Sequence, residues 1–312
     1  MSTFVDGAIT VAELPRDALE AARALLVRAC PYDPVGPVAE EKLFGASPSP
    51  ASAPFPVKNV TLGAWNGERL VGVSAQAGRW LRLIAVEPEA RERGVGHALL
   101  EEVIARARVA GVQKLRVGDQ PGNYVAPGVD ERNAVLLEWL EKRGFQWWGG
   151  NANLRVPLVD NALVSAARGA ELDAACAAAG FEVRRARPED APAVLALAGE
   201  FLPSWAFEAE AALLHNDPPA VHVALAQDSG RLAAFAAHDG NNRGLGWFGP
   251  AGARPEYRGK GLGAALLVRC LLDVAATGVD HAIIAWIGPR DFYERTVGAI
   301  DDRMFVVMER PL

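Results

Sequence analysis

The sequence predicts an α/β protein built as two tandem, related domains, and three observations carry that reading. The chain has 312 residues, against roughly 100–200 for an ordinary domain, so two domains are the first expectation. A stretch of 13 residues occurs twice, PEARERGVGHALL at 88–100 and PEYRGKGLGAALL at 255–267, identical at eight positions and offset by 167 residues. Around each copy the same order of strand and helix signals recurs. Hydrophobic residues make up 50% and charged residues 22%, which supplies two cores and excludes a disordered chain.

The elements repeat in order. Ile9-Thr10-Val11 reads as a short strand, and Pro15-Arg16-Asp17 opens a helical pattern through Leu26. Phe181-Glu182-Val183 likewise leads into Pro188-Glu189-Asp190 and a helix through Phe201. Proline and acids suit a first helical turn, where a missing N–H is harmless and negative charge meets the helix dipole. Residues 60–64 and 70–75 read as strands around Asn66-Gly67, and 221–226 and 232–237 around Ser229-Gly230, so each pair predicts a hairpin. An apolar strand follows (81–86 or 246–253), then the repeated stretch. A helix (96–110 or 263–276) and a further strand (114–117 or 281–286) complete each half. The Ala-rich segment 162–179 predicts a surface linker helix, and 45–56, rich in Pro, Ser and Ala, a loop. The expected division is a first domain over 1–158, a linker over 159–179 and a second domain over 180–312.

Charge and cysteine usage narrow the partners. Lys and Arg total 32 against 38 Asp and Glu, a net charge of −6, which argues against a nucleic-acid binder that must neutralise phosphates. Cys30, Cys176 and Cys270 form no CxxC pair, so neither a metal site nor a disulfide framework is expected. Asp6, Glu13 and Asp17 interrupt the N-terminal stretch, which does not read as a secretory signal. No apolar run reaches the ~18 residues of a membrane span. The expectation is a cytoplasmic protein without membrane or nucleic-acid partners, as a monomer or a homodimer.

The repeated stretch carries the chemistry. Its centre is Arg91-Glu92-Arg93-Gly94-Val95-Gly96 in one half and Arg258-Gly259-Lys260-Gly261-Leu262-Gly263 in the other, between a strand and a helix. Glycines let successive backbone N–H groups line a concave loop, and the helix N-terminus adds partial positive charge. Such a loop suits an anion such as a pyrophosphate. A Walker A loop needs Gly-Lys-Ser/Thr, but Gly261 follows Lys260. A dinucleotide fingerprint fits Gly259-x-Gly261-x-x-Ala264 loosely, yet it belongs after the first strand of a βαβ unit, and Glu92 breaks it in the first half. A glycine-rich turn that merely opens a helix is the plain alternative, and the second matched copy weighs against it.

Both halves resemble the GNAT superfamily of N-acetyltransferases, in a tandem layout similar to that of the mycothiol synthases. The resemblance rests on strand 81–86 with Pro88, Arg91-x-x-Gly94-x-Gly96, and their partners Ala251, Gly252, Ala253, Pro255 and Arg258-x-x-Gly261-x-Gly263. Phe292-Tyr293-Glu294 followed by Gly298-Ala299 adds to it, with Glu141-Lys142-Arg143-Gly144-Phe145 as counterpart. The resemblance implies a mostly antiparallel mixed sheet flanked by helices in each domain, with a splayed strand holding acyl-CoA. It implies acetyl-CoA as co-substrate, its pyrophosphate on the two loops and its pantetheine arm beside Ala85-Val86 or Ala251-Gly252-Ala253. The acceptor it implies is a primary amine of a small molecule, an amino sugar or a relative. Tyr293 stands where the family often keeps the tyrosine that protonates the departing thiolate; its ordinary reading is a half-buried core aromatic.

The halves depart from the family pattern differently. Counting back from Gly144-Phe145 puts Leu140, with Trp139 before it, at the tyrosine position, and leucine donates no proton. Asn133 matches the family's cofactor-contacting asparagine. The first half is thus expected to bind acetyl-CoA without the usual acid, Tyr124 being a possible substitute from a loop. Catalysis is expected in the second half, although four residues separate Tyr293 from Gly298, and Trp286 and Pro289 replace an asparagine and a small residue common there. No general base stands out: His238, Asp239, Glu200 and a water chain are all open, each side chain equally at home as a surface or helix-terminal group. Trp205, Trp247 and Phe248 suit either an acceptor pocket or an ordinary core. A non-catalytic acyl-CoA sensor and acetylation of a thiol-sugar conjugate are the alternatives.

Overall fold

A computed structural model describes residues 8–46 and 59–312, so most of the expected loop over 45–56 lies outside the described residues. In chain order the first elements are β1 (Ile9–Glu13), α1 (Leu19–Ala29), α2 (Ala39–Phe44), β2 (Asn59–Asn66), β3 (Arg69–Ala77), β4 (Trp80–Val86) and α3 (Val95–Val109). They are followed by β5 (Lys114–Val117), β6 (Val129–Asp130), α4 (Ala134–Glu141), β7 (Gln146–Pro157), α5 (Ala166–Ala178), β8 (Phe181–Arg185), α6 (Ala191–Phe201) and α7 (Pro203–Leu214). The chain ends with β9 (Val221–Ala226), β10 (Leu232–His238), β11 (Trp247–Ala253), α8 (Leu262–Ala276), β12 (His281–Ile284), α9 (Arg290–Val297) and β13 (Ile300–Pro311). The described residues form two compact units, one of 8–46, 59–151 and 304–312, the other of 152–303.

In the first unit the strand order is β1-β2-β3-β4-β5-β13, with β6 also on β13. The ladders from β1 to β4 are antiparallel, β4 and β5 run parallel, and β5 pairs antiparallel with Met308–Pro311. Gly67, at φ +60°, makes the hairpin turn that Asn66-Gly67 predicts. Helix α3 buries Val95, Leu99, Leu100, Val103 and Ile104 on the sheet, a spacing of three and four that forms one apolar stripe. Each such side chain contributes roughly 1.5–3 kcal/mol. On the other face Ala22, Leu25, Leu26 and Leu43 of α1 and α2 pack with Val73, Ala75, Leu83 and Ala85.

The second unit repeats this plan with the order β8-β9-β10-β11-β12-β7. Its ladders are antiparallel from β8 to β11, parallel between β11 and β12, and antiparallel between β12 and Leu154–Pro157 of β7. Helix α8 covers one face with Leu266, Val268, Leu271 and Val274, and α6 and α7 cover the other with Val194, Leu197, Ala209 and Ala212.

The units differ from the expected domains in three places, the first being that 152–158, expected in the first domain, belong to the second unit. The final stretch 304–312 closes the first unit's sheet, because β5 needs an antiparallel neighbour and β13 supplies it. Helix α5, over the expected linker, packs within the second unit: Cys176 is buried, and Asp173 pairs with Arg269 of α8 at 2.6 Å. Strand β12 stops at Ile284, short of the expected Trp286, which turns to φ +52°. All three cysteines are unpaired. Among the described residues no helix is long and apolar enough to cross a membrane.

Candidate active site

In each unit the glycine-rich loop leads from the end of β4 or β11, through one 3-10 turn, into α3 or α8. Gly94 and Gly261 are the N-caps of those helices, both at φ +82°, a left-handed conformation that costs an L side chain roughly 1–2 kcal/mol. A Cβ at either position meets nothing within 4 Å, so backbone conformation and not crowding demands glycine. Gly259 also turns left-handed, at φ +75°, and Glu92 holds the matching place of the first loop at φ +62°. Among the described residues nothing accepts a hydrogen bond from the N–H groups of 259–263. Lys260 and Arg93 are exposed on the loops, and Val95 and Leu262 are buried beneath them.

The loop arginines do more than supply charge. Arg258 Nε donates to the Ala253 carbonyl at 3.3 Å, and Arg91 Nε to the Val86 carbonyl at 3.4 Å. Arg91 also reaches the Ala29 carbonyl at 3.0 Å. Each arginine stitches its loop to the end of the preceding strand, a role the spacing alone does not reveal.

The strand before each loop parts from its parallel neighbour. β11 pairs with β12 only at Trp247–Ile283 and Phe248–Ile284, and β4 with β5 only at Trp80–Arg116 and Leu81–Val117. Just beyond each fork the register slips, between Ala236 and His238 in one unit and between Ala75 and Gln76 in the other; such bulges bend a strand away from its neighbour. Arg254 donates to the Ala233 carbonyl of β10 at 2.9 Å. Alternation along β11 then turns the N–H and C=O groups of Ala251 and Ala253 toward the open side. The Glu87–Val71 bond, also 2.9 Å, does the same for Val86.

Helix α9 brings Tyr293 to the second unit's fork. Its ring packs on Phe248 and on Phe292, whose centroid is 5.2 Å away. Phe292 in turn lies 3.5 Å from where a Cβ of Gly263 would stand. Among the described residues none bonds to the Tyr293 hydroxyl, and burial pushes the phenol above its ordinary value of 10.0. In the first unit the matching pair is Trp139 and Leu140. Trp139 approaches the Cβ place of Gly96 to 3.1 Å and carries Arg143 stacked at 3.9 Å, while Leu140 is fully buried. Asn133 caps α4, its Oδ1 accepting from the Leu136 N–H at 3.2 Å. Tyr124 is buried in the segment after β5.

The remaining candidates are distributed. His238 lies between two carboxylates, Asp239 and Asp273, and Glu200 pairs with Arg254 at 3.0 Å. Trp205 packs on Phe201 with centroids 5.3 Å apart. The Phe201 ring lies over Gly252 of β11 so closely that a Cβ there would come within 2.4 Å. Larger residues are thereby excluded from the middle of the splayed strand. Trp247 is buried; Trp286 donates its N–H to Asn153 Oδ1 at 3.1 Å; Pro289 caps α9. Phe201 and Asn153 carry no motif and were not expected at the site.

A family model, described as the acetyltransferase (GNAT) family, matches residues 47–132 and 191–299, together more than half of the chain. A search of curated proteins finds no match. Solved structures are similar in fold. One is a GCN5-related glucosamine N-acetyltransferase region of a fungal multi-domain β-N-acetylglucosaminidase, with 18% identity and a TM-score of 0.75 over 99% of this chain and 39% of that one. A GCN5-related N-acetyltransferase from Sphaerobacter thermophilus gives 17% and 0.64 over 99% of this chain and 97% of that one. A tandem GNAT protein from the clavulanic acid biosynthesis pathway gives 16% and 0.67 over 97% and 98%.

Proposed function

The chain belongs to the acetyltransferase (GNAT) family, and we propose that its second unit transfers an acetyl group from acetyl-CoA to a primary amine of a small molecule. The observation that carries this reading is Tyr293 at the fork, its hydroxyl unshared among the described residues, where the first unit has a buried leucine. The residues present fit the co-substrate. Among the described residues the N–H groups of 259–263 have no protein acceptor, and the free edge of β11 offers the N–H and C=O of Ala251 and the N–H of Ala253, whose carbonyl accepts from Arg258.

When bound, acetyl-CoA supplies an acyl group already activated as a thioester. The loop N–H groups and the α8 dipole hold the charge of a pyrophosphate. Ala251 and Ala253 hold an amide-bearing arm by backbone hydrogen bonds. Tyr293 keeps its proton on Oη through the neutral range, because burial raises its pKa, and among the described residues no neighbour competes for that hydroxyl. An amino sugar is the acceptor class we favour. In the first unit, Leu140 holds no proton and Glu92 places a carboxylate in the anion loop, so we assign that unit an accessory part.

The test is a panel of primary amines incubated with acetyl-CoA, following release of the free thiol. Release with at least one amine, abolished by Gly261→Glu, is the expected result. Thermal protection by acetyl-CoA without turnover on any amine would replace this reading with an acyl-CoA sensor. Protection by NAD alone would remove acyl-CoA altogether; a ligand at 100 times its Kd stabilises by about 2.7 kcal/mol, so the shift is easily read.

A further inference from the structure

Behind the second unit's fork lies a cluster of ionisable side chains that the chemistry above does not use. Asp273 of α8 accepts from three donors: Arg185 of β8 at 2.6 Å on Oδ1, and on Oδ2 the Nε2 atoms of His222 at 2.7 Å and His238 at 3.3 Å. The other ring nitrogen of His238, Nδ1, stands 2.9 Å from Asp239 Oδ2. Asp239 Oδ1 accepts from the Gly244 N–H at 3.0 Å, and the Asp239 N–H donates to the Trp247 carbonyl at 2.9 Å. Both histidines are buried.

Two carboxylates on one imidazole decide its protonation. An ionised carboxylate only accepts, so each ring nitrogen of His238 donates, and the ring is an imidazolium. His222 has one carboxylate partner, and its Nδ1 is buried with no partner among the described residues, which fits a neutral ring donating from Nε2. Burial lowers the pKa of His222 against the pull of Asp273. Burial also works against charge on His238, but its two carboxylates outweigh it and its pKa is raised. Burial opposes charge on Asp273 too, yet the two histidines and Arg185 hold its carboxyl well below the ordinary range. The groups bonded to His238 are thus Asp239 at its own strand end and Asp273 on α8, and Asp273 also holds Arg185 of β8 and His222 of β9. On α8, Cys270 has its thiol pushed far up by burial and stays neutral, and Arg269 is held by Asp173.

The place of this cation matters. His238 is the register partner of Phe248, the last residue of β11 still paired with β12, and Phe248 carries the ring on which Tyr293 packs. At the same register of the first unit stands Gln76 opposite Leu81, a neutral side chain in the unit whose tyrosine position is a leucine.

We propose that His238 is a positioning residue, an imidazolium clamped between Asp239 and Asp273 that pins the end of β10 and the 239–244 turn, and through them Phe248 and Tyr293 at the fork. With no lone pair free, His238 is not the general base. The inference rests on the second unit being the transferase site. Loss of the proton would set a lone pair against one of the carboxylates and loosen the turn. Because the folded pKa is raised, the clamp is complete below the unfolded value of about 6.5 and is lost as pH rises through the folded one.

The experiment compares the full-length protein with His238→Gln, which copies the first unit's residue and replaces the charged ring by a neutral amide. Nitrogen NMR of labelled histidine should find both ring nitrogens of His238 protonated at about pH 7. The kcat of His238→Gln should fall ~10-fold below wild type at about pH 6, within what a misplacement under 1 Å costs, with the KM for acetyl-CoA unchanged. The two kcat values should converge as pH rises past the His238 midpoint. Protonation of the amine acts on both proteins and cancels in the ratio. A ratio flat across pH, or a singly protonated ring at neutral pH, overturns the proposal. Should His238→Gln not fold, Asp239→Asn must lower the His238 midpoint, and an unchanged midpoint overturns it equally. The two failures separate: absence of turnover with every amine sinks the transferase reading, whereas a singly protonated ring in an active enzyme sinks the clamp alone.

Discussion

Tyr293 meets Phe248 edge-on, with ring centroids 6.3 Å apart and planes at 75°. The contact holds the phenol at the point where β11 leaves β12, since Phe248 is the last residue of that pairing. The geometry fixes the ring, and among the described residues none bonds to the hydroxyl, so the ring and the oxygen have separable roles.

Tyr293→Phe tests that separation. The variant keeps the edge contact and loses only the oxygen, which has no hydrogen-bond partner among the described residues. Its kcat should fall roughly 10²–10⁴-fold, as expected for a lost proton donor, with acetyl-CoA affinity nearly unchanged. Its melting temperature should match wild type. Turnover, calorimetric titration and melting on one preparation decide the matter: near-wild-type kcat in a stable variant removes Tyr293 from the mechanism.

The repeated strand, hairpin and helix core of each half and both glycine loops were readable because each is local. A doubled motif, a turn dipeptide or a stripe spaced by three and four residues is written within one segment. What was not readable is non-local. No motif or alternation singles out 304–312 (five apolar residues in a row, then Glu-Arg-Pro-Leu), and its closure of the first unit's sheet on β5 is invisible in sequence. Ala-rich α5 has the composition of a surface helix, and only the burial of Cys176 and the Asp173–Arg269 pair reveal its docking. Arg185, His222, His238 and Asp273 lie on four elements spread over almost ninety residues, and no spacing rule connects them.

The loop glycines give a test of which unit turns over. At Gly261 and at Gly94 a Cβ has open space but the wrong φ. Alanine at either should therefore cost a similar, small amount of stability, roughly 1–2 kcal/mol. Turnover should discriminate: Gly261→Ala weakens acetyl-CoA binding and kcat/KM, and Gly94→Ala leaves both close to wild type. The reverse pattern in melting-matched variants would transfer the active site to the first unit.

Glu92 stands at φ +62° where the second loop has Gly259. Glu92→Gly relieves a left-handed conformation worth roughly 1–2 kcal/mol and loses about half of that to the greater freedom of glycine in the unfolded chain. A small net rise in melting temperature is expected. The variant also removes a carboxylate from a loop suited to anions, so the first unit should take acetyl-CoA more tightly. Calorimetry on the Gly261→Glu background, where the second loop is blocked, isolates that binding. Unchanged affinity there would mean that the Glu92 side chain turns away from the ligand.

Acid sensitivity should trace in part to Asp190, at the start of α6. Its carboxylate accepts from Arg184 at 2.6 and 3.0 Å and from the Arg187 N–H at 2.7 Å. The Arg184 bonds, against the opposing pull of burial, lower its pKa from the ordinary 3.8. A depressed carboxylate contributes stability that is present above its unfolded pKa and is lost as pH falls through the folded one. At neutral pH, Asp190→Asn should therefore be less stable by about 1–2 kcal/mol and melt lower, because one strong acceptor for Arg184 becomes a weak one. As pH drops below about 4 the wild-type curve should descend toward the variant's, since protonation does to Asp190 what the substitution has already done. Melting curves recorded at intervals from neutral to acid pH measure the gap directly, and a gap that stays constant across that range would show that Asp190 acts by packing and not by charge.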